Sequence, residues 1–118
     1  MSNNKDFLVN GPVVVGKDTK VTVGSITSSD IDLSTGNYFD DTLAANTTYT
    51  ISNAGDVQAF QLEVTGASTY TITWPSSIEW AGGIAPAAPA NGETDVYTFT
   101  TDDGGTTYTG VKSIDNAS

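Results

Sequence analysis

Two adjacent pairs of acids, Asp40-Asp41 and Asp102-Asp103, and a spaced pair, Asp30 and Asp32, are the residues best suited by type to do chemistry. Two carboxylates set apart across a cleft can hydrolyse a glycosidic bond. Neighbours on a strand point to opposite faces, so neither adjacent pair makes such a dyad by itself. Asp30 and Asp32 do share a face, and with backbone carbonyls they have the donor chemistry of a Ca²⁺ site. No Asp-x-Asp-x-Asp-Gly loop accompanies them. The reading is therefore solvated acids at turns and strand edges. No metal, other cofactor or catalytic residue is assigned.

Other reagents are missing. The chain has no His and no Cys, and its four basic residues are all Lys. That removes the usual proton shuttle near neutral pH, the thiolate nucleophile, disulfides, zinc fingers and the bidentate guanidinium clamp for phosphate. No Ser lies in Gly-x-Ser-x-Gly, and no Gly-x-x-x-x-Gly-Lys loop is present. Too few groups remain to tune as acid and base, so the chain reads as a non-enzyme. A net charge of −10 also disfavours nucleic acid as a partner, because such binding relies on basic residues displacing counterions. The acidity serves solubility, or else a surface tuned to a basic partner or to divalent cations.

The aromatics Tyr49, Tyr70, Trp74, Trp80, Tyr97 and Tyr108 have the chemistry of a sugar-binding face. Most fall on an inward register, so core packing is the better reading for all but Trp80 and Tyr38. Asn46-Thr47-Thr48 matches a glycosylation acceptor, read as incidental.

The elements that hold these residues follow from composition and periodicity. The 118 residues suffice for one core, hiding about two-thirds of the unfolded surface. Thr occurs 19 times and Gly 12 times, against 4 Leu and 3 Glu, which favours pleated strands and turns over helices. Period-two alternation is plain in residues 47–52, 57–65, 69–74 and 95–101. It places Tyr49, Ile51, Phe60, Leu62, Val64, Tyr70, Ile72, Trp74, Tyr97 and Phe99 inside. Weaker strands are expected at 20–26, from 29 to 33, and at 106–111. Gly66-Ala67-Ser68 is expected to join 57–65 to 69–74 as a hairpin, and Asp102-Asp103-Gly104-Gly105 to join 95–101 to 106–111. The expected fold is all-β, an antiparallel β-sandwich of jelly-roll or immunoglobulin-like type.

Two segments stand apart. Residues 1–20 read as an N-terminal arm of short β segments, FLVNGPVVV broken at Asn10-Gly11-Pro12, and 21–118 as the sandwich domain. The start is polar with one early Lys and no sustained apolar run, so neither secretion nor membrane insertion is expected. Residues 75–92 carry three Pro and three Gly, which argues for a long irregular loop rather than a helix or central strand. Trp80 and Ile84 are its apolar anchors. They either pin the loop to the sandwich or offer a contact surface.

The run VQAFQLEVTGASTYTITWPSSIEWAGGIAP, followed by DVYTFTTDDGGTTYTG, resembles a module of bacteriophage virion proteins, cyanophage ones in particular. The points of likeness are Trp74-Pro75, Trp80, Gly82-Gly83, Ala85-Pro86 and Asp103-Gly104-Gly105-Thr106-Thr107-Tyr108, and the upstream IDLSTGNYFDDTLAANTTYTIS is similar to the module's first half. The likeness covers about residues 29–110. It implies a structural protein, seen both in tail fibres and in small capsid-associated chains. The short chain without a repetitive shaft suits a capsid decoration, or cement, protein. What the resemblance then implies is a homotrimer made in the host cytoplasm and bound to the major capsid protein on the outer surface of the head, with no membrane partner. The alternative is a receptor-binding piece of the tail. Contact residues expected on this reading are Phe7, Val9, Val13 and Val15 of the arm, with Trp80 and Ile84. Deleting residues 1–15 is expected to weaken attachment to capsids while leaving the sandwich folded. Capsids that hold the truncated chain as tightly as the intact one would refute the arm's role.

Overall fold

A computed structural model describes residues 22–117. Phe7, Val9, Val13, Val15, the turn at Asn10-Gly11-Pro12 and the start of the 20–26 segment lie outside the described residues. The rest is nearly all β, with ten strands: β1 Ile26–Thr27, β2 Asp30–Asp32, β3 Tyr38–Thr42, β4 Thr47–Thr48, β5 Thr50–Ser52, β6 Gln58–Thr65, β7 Ile72–Thr73, β8 Ile78–Trp80, β9 Thr94–Thr101 and β10 Tyr108–Ile114. The one helical piece among the described residues is a 3-10 turn at Ala81–Gly83.

The strands form a five-stranded sheet ordered β3-β6-β9-β10-β8, a three-stranded sheet β1-β2-β5 and a pair β4-β7. Buried Ile31, Leu33 and Tyr49 of the smaller sheets and their flanks join Phe39, Phe60, Leu62, Val64, Tyr97, Phe99, Ile78 and Tyr108 of the main sheet in one apolar cluster. The arrangement is compatible with a β-sandwich. It is not purely antiparallel, as alternation had suggested. β6 pairs antiparallel with β9, and β9 with β10, but β3–β6, β8–β10, β2–β5 and β4–β7 are parallel. Alternation reports which face a side chain takes, not the direction of the strand beside it.

The β9–β10 hairpin forms where Asp102 to Gly105 predicted it, with Gly104 and Gly105 at φ of 72° and 89°. The other expected hairpin does not form. β6 lies between β3 and β9, while β7 pairs with β4. Gly66 is used differently: its N–H donates to Glu93 O at 2.8 Å, and its oxygen accepts from Gly92 N at 2.9 Å. A Cβ there would collide with the backbone of Ala90 and Pro89. The glycine serves close passage of the 89–93 backbone, not a tight turn.

Residues 47–52 keep their alternation but change partners at Tyr49. Tyr49 N–H donates to Thr73 O at 3.0 Å, and the next N–H, of Thr50, to Ser29 O at 3.0 Å. One run of sequence thus serves two sheets. Residues 75–92 are not wholly irregular either. Between Pro75 and Pro86 the chain lays β8 along the edge of the main sheet, parallel to β10. An edge is where a Pro-flanked strand fits, since one side of its backbone needs no partner.

The inner face of the main sheet is built in rows across the strands. One row runs Phe60, Phe99, Gly110, Trp80, and the adjacent one Phe39, Leu62, Tyr97, Lys112. Each buried Phe, Tyr or Leu contributes about 1.5–3 kcal/mol of apolar burial. Gly110 is the small member that lets the large ones fit. A Cβ on it would stand 2.9 Å from Ile78 Cγ2 and 3.0 Å from the Phe99 ring. Gly110→Ala is expected to lower the unfolding free energy by about 1–3 kcal/mol through overpacking, measured by urea titration. An unchanged midpoint would contradict this account of the row.

Candidate functional site

The acids take up local structural duties. Asp30 accepts from Thr50 Oγ1 at 2.7 Å and Ser52 Oγ at 2.6 Å. Asp32 accepts from Ser34 N at 3.0 Å, Ser34 Oγ at 2.6 Å and Asn53 Nδ2 at 2.8 Å. Asp103 accepts from Thr101 Oγ1 at 2.9 Å, Thr107 N at 2.9 Å and Thr107 Oγ1 at 2.7 Å. Asp41 turns inward and accepts from Tyr49 Oη at 2.6 Å, while Asp40 stays exposed. These oxygens are occupied by the chain's own donors. Among the described residues no group of three His, Cys, Asp or Glu is placed to hold a metal.

The sequence reading missed one charged pair. Asp95 is buried on the inner face, 3.1 Å from Lys112 Nζ, and Lys112 also lies 3.6 Å from exposed Asp115. Asn116 N–H donates to Asp95 at 2.9 Å and ties down the end of the described chain. The signal was present, since Asp95 has the parity of inward Tyr97 and Phe99. Removing one partner of such a pair costs about 3–5 kcal/mol, because it strands the other charge in a poor solvent.

Trp80 and Ile84 separate. Trp80 packs into the aromatic cluster, its ring centre 5.1 Å from Trp74, 5.5 Å from Phe99 and 6.1 Å from Tyr97. It pins the segment to the sheet, the first of the two roles expected for it, while its partly buried ring also lines a cleft of the outer face. Ile84 is 79 % exposed and anchors nothing. Tyr38 is half-buried and donates to Glu63 at 3.3 Å on the outer face of the sheet.

That outer face is the surface the sequence reading did not single out. Its rows run Tyr38, Gln61, Thr98, Val111 and Ala59, Thr100, Thr109, Glu79 across the strands. Ala59, Thr100, Thr109 and Val111 are exposed, Val111 by 43 %. The hydroxyls pair with one another: Thr100 with Thr109, Thr65 with Thr94 at 2.9 Å, and Thr98 with Ser113 at 3.0 Å. Polar groups satisfied in this way lose little when a partner removes water from them. Two shallow clefts, of about 310 and 400 Å³, meet along Thr100 and Thr109. Acids stand at the margins, with Asp40 on edge strand β3 and Glu79 on edge strand β8. Glu63 on β6 faces the same way beside Asp40, whereas the outward residues of β9 and β10 are uncharged, and charge depletion is the compositional mark of an interface centre. Strand parity had shown these Thr as the outward set. Only the cross-strand register brought them together.

No family model matches the chain, and neither the curated proteins nor the solved structures contain a significant match to it.

Burial, then the hydrogen bond to Asp41, raises the Tyr49 phenol above its ordinary value of 10.0, and burial, then the Asp95 charge, does the same at Tyr97. At and below neutral pH folded and unfolded chains alike keep these protons. Above pH 10 the unfolded chain releases its protons while the folded one retains them, so stability is expected to fall as pH rises. Bonds from Ser34 hold the Asp32 carboxyl below its ordinary 3.8, and bonds from Thr107 do so for Asp103. Their contribution is present above pH 3.8 and lost as pH drops below it. Thermal unfolding across pH is expected to show both falls. A melting temperature that holds steady or rises above pH 10 would contradict the buried phenols.

Proposed function

We propose that the protein is a non-catalytic structural component of a phage virion, a decoration protein of the head. On this reading it binds the major capsid protein on the outer surface of the shell, as a homotrimer, and its sandwich is of jelly-roll or immunoglobulin-like type. The observation that carries the reading is the uncharged, hydroxyl-paired stretch of the outer face along β9 and β10 in a chain of net charge −10. Such a face suits broad docking on another folded protein better than capture of an ion or a reaction intermediate.

The residues of the phage-module resemblance support a structural role. Trp74 and Trp80 sit in the aromatic cluster, and Gly104 and Gly105 turn the β9–β10 loop. The mechanism is mass action. A protein that binds only assembled shell stabilises the assembly by the free energy of its own attachment. A trimer would match local threefold points of an icosahedral shell.

A second reading, a receptor-binding piece of the tail, draws on exposed Ile84 in the segment that follows β8. Electron microscopy of virions labelled on this protein separates the two. Label spread over the head is the expected result. Label confined to the tail would overturn the decoration reading and favour the second.

A further inference from the structure

Away from the docking face, a cleft of about 400 Å³ opens between residues 48–51 and 74–77. That volume falls in the range of about 300–1,000 Å³ that small-molecule sites occupy. Tyr49, Trp74 and Tyr108 supply aromatic walls, and Thr48, Ser76 and Ser77 supply hydroxyls. None of its lining residues is charged. A phosphate or carboxylate ligand therefore meets no cation here, and a metal ion meets no carboxylate.

The cleft also gathers donors without acceptors. Tyr38, Tyr49 and Tyr97 each donate to a defined oxygen. Tyr108, only 3 % exposed, has no partner for its hydroxyl among the described residues. Trp74 Nε1 is buried and likewise has no partner among them. A buried donor left unmet costs about 1–3 kcal/mol. Trp74 supplies one such donor, and Tyr108 adds a solvent-reachable hydroxyl with no partner among the described residues, so the lining offers donors to acceptor oxygens. The Tyr108 hydroxyl also borders Gly105, where a Cβ would stand 2.7 Å from it. A side chain at 105 would close that end of the cleft.

We infer that this cleft binds a neutral sugar unit. A sugar offers what the walls lack: hydroxyl oxygens that accept from Tyr108 while donating to Thr48, Ser76 and Ser77. Its apolar ring face suits aromatic walls. The inference does not rest on placement in the virion. A decoration protein and a tail component would carry the cleft equally, so its failure would leave the proposed function untouched.

The test uses the purified full chain and a panel of neutral sugars: glucose, galactose, mannose, N-acetylglucosamine and their disaccharides. Tryptophan emission reads binding through Trp74. At least one sugar is expected to give a saturable change. Tyr108→Phe is expected to weaken that binding about threefold to tenfold, the worth of one hydrogen bond. It keeps the ring and removes the unmet hydroxyl, so its unfolding temperature is expected to be no lower than that of the unaltered chain. The double variant Ser76→Ala, Ser77→Ala is expected to weaken binding too, while Thr109→Ala on the docking face leaves it unchanged. No saturable change with any sugar of the panel would overturn the inference. So would binding equal to the unaltered chain in both cleft variants, or a Tyr108→Phe chain that is clearly less stable, which would mean the hydroxyl is bonded within the fold.

Discussion

The inner aromatic row of the main sheet is the constraint on which the rest depends. Trp74 stands at its centre, with ring centres at 4.9 Å from Tyr97, 5.1 Å from Trp80, 5.4 Å from Tyr49 and 5.7 Å from Phe99. These rings come from four separate stretches of chain. Two of those stretches, around Tyr49 and Trp74, have little regular ladder of their own, since β4 and β7 pair over only two residues each. A two-residue ladder does not hold in water by itself. Aromatic burial and edge-to-face contact supply what the hydrogen bonds there do not. The Pro- and Gly-rich passage after Trp74 follows the same logic, with Trp80 fastening β8 to the sheet edge opposite Gly110.

The same sheet explains why the outside is quiet. Parity sends aromatic and aliphatic residues inward and Thr outward along β6, β9 and β10. Paired hydroxyls on the outer face then satisfy one another, and Asp30, Asp32 and Asp103 stand at short strands and turns, where hydroxyl and backbone donors hold them. The proposed docking role draws on that outer face, in a chain without His, Cys or Arg whose Asp30, Asp32 and Asp103 are held by the chain's own donors. That links composition to the decoration reading without any step of catalysis.

Much of this was legible in the sequence, for definite reasons. Inward Phe60, Leu62, Val64, Tyr97 and Phe99 were readable because β6 and β9 are long and alternate strictly, so each position tests the same face. The β9–β10 hairpin was readable because Asp-Asp-Gly-Gly carries its own turn chemistry. Partners were not readable. Gly66-Ala67-Ser68 has the look of a turn, yet Gly66 answers to the passing backbone of Ala90, twenty-four residues away. The split at Tyr49 was hidden because alternation continues across it. The strand at Trp80 was hidden because Pro and Gly around it signal irregular chain, while its place depends on a small residue, Gly110, in another strand. The Asp95–Lys112 pair and the outer threonine rows share that origin, since both exist only once β9 and β10 are in register.

Co-sedimentation with purified heads of Thr100→Lys, Val111→Lys chains tests the central claim most directly, because both residues are exposed at the centre of the outer face and neither touches the core. The account predicts a folded protein with an unchanged unfolding curve that no longer pellets with the heads. A folded variant that pellets as fully as the unaltered chain would contradict it.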